Sequence, residues 1–380
     1  MKKFLNKLFK LDQHGTTVKT EIIAGITTFF AMCYIIVVNP NQMIGTEHPA
    51  LWNACFVGGI IAGVVATICM AFIANKPFAL AAGMGLNSFF FVSFILPNLA
   101  SPEMLENGYQ AGLSVILMSG IIFLILSFTG ARSFIAKALP QSIKVAVPAG
   151  IGLFIAFIGL QNAGIVSANP YTCVALADLT QGANVIIPVT TAFLGFILII
   201  VFGHVKVNFL NKASIILGIL AATIFYYAAS FIFIKDYVDI FKSNFQVMKL
   251  DTVFSDWAHF GLVGGIKGFK FVFDGTTIGS IFTVIMLVIT YCLVDMFDTL
   301  GTIYGTSIQA EMIDENGDPE NLSQCMLADS IGTVAGSLTG TSTITTFVES
   351  SSGVAAGGRT GLTSFITAIL FLVCLFFAPI

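Results

Sequence analysis

The sequence predicts an all-α polytopic membrane protein, and three observations carry that prediction. Of the 380 residues, 56% are hydrophobic and only 10% are charged, too little polar side chain to cover a soluble domain. Apolar runs of about 20 residues, enough to cross a bilayer, recur from end to end. Within them the strongly polar residues gather on three segments, where a channel would want a continuous stripe or charged rings. A net charge of −3 without a basic excess argues against nucleic acid as a partner. The seven cysteines are scattered, with no Cys-x-x-Cys pair. They read as small buried hydrophobes, and no metal or cofactor is expected.

In chain order, residues 1–21 come first. Phe4, Leu5, Leu8, Phe9 and Leu11 alternate there with Lys2, Lys3, Lys7 and Lys10, which predicts an interfacial helix on the cytoplasmic face. Eleven candidate spans follow, at 22–38, 52–73, 78–96, 111–128, 143–160, 185–202, 213–234, 279–304, 323–338, 341–357 and 363–380. With the N-terminus inside, twelve of the seventeen Lys and Arg fall on the cytoplasmic side, which the positive-inside rule favours. The other five, Lys235, Lys242, Lys249, Lys267 and Lys270, share one outer loop at 235–275. The acidic segment 311–320 reads as a solvated inner connector, and the 37 Phe as lipid-facing or core packing. Asn39, Asn75 and Gln161 fall at span ends, where capping or interfacial roles are expected. His14, His48, His204 and His259 fall in tails or connections, and none is placed as a relay.

Two spans are interrupted. The third carries Ala81-Ala82-Gly83-Met84-Gly85-Leu86-Asn87-Ser88, broken by glycine and holding an amide. The tenth begins with β-branched residues, Thr341-Ser342-Thr343-Ile344-Thr345-Thr346, which favour extended backbone. It ends in Ser, Gly and Ala. Unpaired backbone cannot face lipid, so such segments must be buried in protein or line a cavity. One in each half of the chain points to a transporter's central binding site. Nearby, Ala328, Gly332, Gly336 and Gly340 form a four-residue ladder of small side chains, a close-packing stripe.

The candidate site residues are Asp295, Asp298, Asn87 and Glu349. An intramembrane acid costs roughly 2.5–3.5 kcal/mol on insertion scales, so it is a functional candidate by default. Helical spacing puts Asp295, Asp298 and Thr299 on one face. A carboxylate and an amide on opposed segments suit a flat ligand with paired N–H and C=O edges, such as a nucleobase, and a protonatable acid offers a route to proton coupling. The competing role for Asp298 and Asn87 is to satisfy interrupted backbone.

These residues also carry a resemblance. Residues 24–40 (AGITTFFAMCYIIVVNP), 79–91 (ALAAGMGLNSFFF), 294–305 (VDMFDTLGTIYG) and 328–361 (ADSIGTVAGSLTGTSTITTFVESSSGVAAGGRTG) closely resemble the AzgA-like branch of the nucleobase–cation symporter-2 family, the guanine/hypoxanthine or adenine permeases. The resemblance implies an inverted seven-plus-seven repeat transporter fold with core and gate domains, whose third and tenth spans are half strand, half helix. It assigns 1–21 to a cytoplasmic N-terminus, 22–130 and 276–380 to the core repeats, 131–234 to the first gate repeat and 235–275 to an extracellular loop. It further implies proton-driven, elevator-like uptake of a purine nucleobase across the bacterial cytoplasmic membrane, with no enzymatic activity. Asp295 and Glu349 would be the principal purine contacts, with Asn87 and Asp298 adjacent. A homodimer is implied for the full-length form. Fourteen spans against eleven here leaves three gate spans expected beyond residue 380.

Two acids plus an amide tilt the expected substrate toward guanine and hypoxanthine, with adenine as the alternative. More distant rivals are a uracil or xanthine transporter and an anion transporter of the same fold class. The anion transporter would favour helix N-termini and a basic residue over carboxylates. An intramembrane protease would want a Ser/His pair at depth or a Gly-x-Gly-Asp motif, and the sequence has neither.

Overall fold

The computed structural model describes residues 2–45, 48–129, 141–169, 172–205, 214–235, 237–238, 249–274, 277–315 and 317–377. In chain order the first helices are α1 (Lys2–Phe9), α2 (Val18–Met32), α3 (Ile35–Met43) and α4 (Pro49–Cys69). Then come strand β1 (Leu80–Ala82), α5 (Met84–Phe90), α6 (Pro102–Phe128), α7 (Gln141–Asn162), β2 (Val166–Asn169), β3 (Cys173–Leu176), α8 (Ala183–His204) and α9 (Ser214–Phe233). The chain continues with the short helices α10 (Leu250–Asp256), α11 (Gly264–Lys267) and α12 (Phe269–Val272), then α13 (Ile281–Gln309) and α14 (Leu322–Thr339). Strand β4 (Ile344–Thr346) and helices α15 (Ser350–Ala355) and α16 (Gly361–Phe377) complete it.

Among the described residues, five helical stretches are long and apolar enough to cross a membrane: Val18–Met43, Pro49–Ala74, Pro102–Phe128, Ala183–His204 and Ile281–Gln309. Three shorter apolar ones are Met84–Asn98, Leu217–Phe233 and Gly361–Phe376. Arg132, Lys137, Lys206, Lys212 and Lys242, used above to orient the chain, lie outside the described residues.

The contacts divide the chain into two units. One is built from residues 1–149 with 248–378, the other from 150–247. In the second unit α8 and α9 pack at glycines, Gly195 lying against Ala222 and Gly218 against Ile199. Its β2–β3 hairpin pairs Val166 with Leu176 and Asn169 with Cys173. No sequence signal announced that hairpin.

In the first unit the two interrupted spans meet. Strand β1 pairs antiparallel with β4 in the register Leu80↔Thr346, Ala81↔Thr345, Ala82↔Ile344, and all six residues are buried. Two strands leave two outer edges, and a helix threonine satisfies each. On one side Leu80 N donates to Thr67 Oγ1 at 3.0 Å while that hydroxyl donates back to Leu80 O at 3.1 Å. On the other, Ile344 N donates to Thr333 Oγ1 at 3.3 Å. Gly83 N to Thr343 O, Phe347 N to Ala79 O and Ala79 N to Ser350 Oγ close the ends. Backbone leaves the helix here without leaving polar groups unpaired.

Small residues bring the flanking helices close. A Cβ on Gly332 would stand 2.6 Å from Ala66 Cβ and 3.0 Å from Ile344 Cγ2, and one on Gly336 would overlap the Ser342 carbonyl. Gly340, at φ +102°, turns the chain from α14 into the β4 segment, and Tyr109 Oη donates to its carbonyl at 2.5 Å.

Two connectors are more ordered than their sequence suggested. Within 235–275, helices α10–α12 pack on the first unit, burying Val253, Gly264, Gly265 and Val272, and Trp257 Nε1 donates to Thr339 O. The 311–320 segment is mostly exposed, as a solvated connector would be, but it is tied to the first unit: Glu320 pairs at 2.6 Å with Lys76, which is only 1% exposed, and Tyr304 donates to Asp318.

Replacing Gly353 tests the packing. Its Cβ would overlap the Thr28 hydroxyl and lie 2.8 Å from Ala24 O, so Gly353→Ala is expected to cost about 1–3 kcal/mol. The readout is a lowered melting temperature in detergent. Parent-like melting would mean that α15 and α2 are not held in this contact.

Candidate functional site

The four predicted residues fall on the segments that surround the β1–β4 pair, in two different environments. Asp295, on α13, is fully buried and accepts a hydrogen bond from Thr333 Oγ1 at 2.8 Å. Thr333 is the residue that satisfies the β4 edge, so Asp295 is tied through it to the strand. Asn87, on α5, is also fully buried. Its Nδ2 donates to Asn39 Oδ1 at 2.9 Å, and its Oδ1 accepts from Ser342 Oγ.

Asp298 and Glu349 are only partly buried, and their carboxyl groups lie within electrostatic reach of each other. Glu349 immediately precedes α15, where the tenth span returns from strand to helix. It accepts a hydrogen bond from Tyr34 Oη at 2.5 Å. Beside these acids, in the same segments, the hydroxyls of Thr299, Thr343 and Thr346 are buried without a hydrogen-bond partner among the described residues. Such groups stand ready to bond a ligand or water.

Two observations correct or extend the sequence reading. Asn39 was expected at a span end in a capping or interfacial role; instead it lies inside α3 together with Pro40, and it is 3% exposed. Its Nδ2 donates to Thr341 Oγ1 at 3.0 Å, so one amide joins the first span to both interrupted segments. Proline is tolerated within a membrane helix when neighbours bond the freed carbonyls. Glu21, placed by sequence at the end of an interfacial stretch, is fully buried. It accepts from the backbone N–H of Arg359, Thr360 and Thr363 and from two threonine hydroxyls, capping α16 from a distant part of the chain. Asn75 does cap, accepting from Gly361 N at 2.9 Å. Asp329 is a further buried acid that the sequence reading passed over.

Paired interrupted segments flanked by intramembrane acids define a membrane transporter of the discontinuous-helix kind. The chain belongs to the permease family of nucleobase–cation symporter-2 transporters, whose model (Xan_ur_permease) matches residues 19–380. It is 37% identical to the guanine/hypoxanthine permease PbuG of Bacillus subtilis, with 99% of this chain and 79% of the relative covered. It is 34% identical to the adenine permease AdeP of Escherichia coli, with 99% and 75% covered. Among solved structures it resembles the transmembrane domain of the cyanobacterial bicarbonate transporter BicA, at a TM-score of 0.56 and 14% identity over 95% of this chain and 83% of that one. That likeness concerns the fold alone.

Asn39→Ala should leave Asn87 and Thr341 with unmade buried hydrogen bonds, at a cost of about 1–3 kcal/mol. Unfolding in detergent reads it. An unchanged midpoint would mean that the amide cluster does not bind the segments together.

Proposed function

We propose that the protein takes up a purine nucleobase across the cytoplasmic membrane, coupled to protons, with its N-terminus inside. Glu349 and Asp298 would receive the ring N–H edge of the purine, Asn87 would hold the surrounding segments from behind, and Asp295, a buried protonatable acid tied to the β4 edge through Thr333, would serve the coupling to protons. The carrying observation is the pair of partly exposed acids where the interrupted spans cross, in a chain otherwise poor in charge. Carboxylates accept hydrogen bonds in pairs and suit a planar heterocycle that offers adjacent donors. Guanine presents such an edge in its N1–H and 2-amino group, and hypoxanthine keeps the N1–H, which favours them. Adenine is the second reading, because a relative named as an adenine permease is nearly as similar as those named for guanine and hypoxanthine. Movement of a core against a gate, elevator-like, would carry the site from one side to the other.

Competition for uptake among guanine, hypoxanthine, adenine, xanthine and uracil, in cells lacking their own permeases, tests the substrate class. Guanine and hypoxanthine are expected to compete best; competition by uracil alone, or by none, would sink the purine assignment. Glu349→Ala removes a charge-assisted acceptor and is expected to weaken purine affinity roughly 10- to 150-fold; retained high affinity would count against its role. Asp295→Asn keeps the shape and removes the titratable group. Uptake by this variant is expected to lose its sensitivity to a protonophore, and unchanged sensitivity would defeat the coupling role.

A further inference from the structure

Glu349 carries a long side chain, which loses rotamer freedom when a ligand fixes it. A residue on a distant segment already holds it. Tyr34 lies in the short interruption between α2 and α3, and its phenol donates to Glu349 Oε1 across 315 residues of sequence. The contact depends on the packing of α15 against α2, where Gly353 has no side chain to hold off Thr28 and Ala24. The same first span reaches the other interrupted segment through Asn39.

We propose that Tyr34 is a positioning residue for the purine site, fixing Glu349 in the orientation that receives the ring N–H edge. The inference rests on the reading of that site as the purine site. A carboxylate offers about four lone-pair positions, so one bond from Tyr34 leaves acceptors for the ligand. Preordering the side chain before the ligand arrives lowers the entropy lost on binding and so tightens it. Tyr34 therefore acts through Glu349 and not through a contact of its own.

A double-mutant cycle on the full chain purified in detergent tests this, read as the Kd for radiolabelled guanine, hypoxanthine and adenine beside the melting temperature. Tyr34→Phe keeps the ring and removes the donor. It is expected to weaken the Kd roughly 5- to 15-fold at a parent-like melting temperature. In Glu349→Ala protein, which has no side-chain acceptor left for Tyr34 to hold, the same substitution is expected to change the Kd less than about twofold. Should Tyr34→Phe fold poorly, Tyr34→His and Tyr34→Leu are compared, and the histidine, which keeps a donor, is expected to bind more tightly. Parent-like affinity in Tyr34→Phe, equal losses in both Glu349 backgrounds, or equal losses in the histidine and leucine variants would overturn the assignment alone. Absence of purine binding by the unsubstituted protein would overturn the purine reading and this assignment with it.

Discussion

Backbone that leaves the helix at membrane depth must find hydrogen bonds inside the protein, and the rest of the first unit follows from that constraint. Neither interrupted span can satisfy itself, so each uses the other, three residues against three. Two strands still expose two edges, and Thr67 and Thr333 close them from opposite helices. Once the pair is fixed, so are the helices that continue from it. Asn87 is then carried on α5, and Glu349 stands at the start of α15. Both candidate site residues are thus positioned by a problem of backbone satisfaction.

The same constraint sorts the polar residues. A buried polar group is tolerated when it is bonded, and several in this chain are: Glu21 takes five donors at the start of α16, Lys76 faces Glu320, and Asn39 and Asn87 bond each other. These side chains join segments far apart in sequence, which apolar packing alone does with little directional preference. Asp298 and Glu349 differ. They sit among membrane-spanning helices and remain partly exposed, and the bond that Glu349 accepts from Tyr34 engages one of its two oxygens. Burial and bonding, more than residue type, mark the acids that build the protein.

What was legible in the sequence was whatever has a local signature. Gly83 and Gly85 broke one span, and the run of β-branched residues from Thr341 to Thr346 marked the extended half of the other. Both are interrupted at those places. The four-residue ladder ending at Gly340 packs as its spacing suggested. What was not legible depends on distant partners. Glu21 meets its donors 338 to 342 residues away, so no window around it shows why it is buried. Asn39 stood just past the apolar run 22–38, and only bonds from neighbouring segments make it an interior position. The short helices between 250 and 272 were missed because four to seven residues are too few to display a period.

Fold and ligand remain separate questions here. A bicarbonate transporter shares this architecture at 14% identity, so the architecture does not choose what is carried. On the reading proposed above, the choice lies with the few side chains where the interrupted spans meet. An anion would meet two carboxyl groups within reach of each other, whose charge disfavours a second negative group beside them. A neutral ring rich in N–H donors would meet acceptors, on segments that also carry the hydroxyls of Thr299, Thr343 and Thr346, unpartnered among the described residues. The acids themselves could not stand in that place as lipid-facing decoration, since insertion alone would select against them. On that same reading, a ligand satisfies them, and its donor pattern complements theirs.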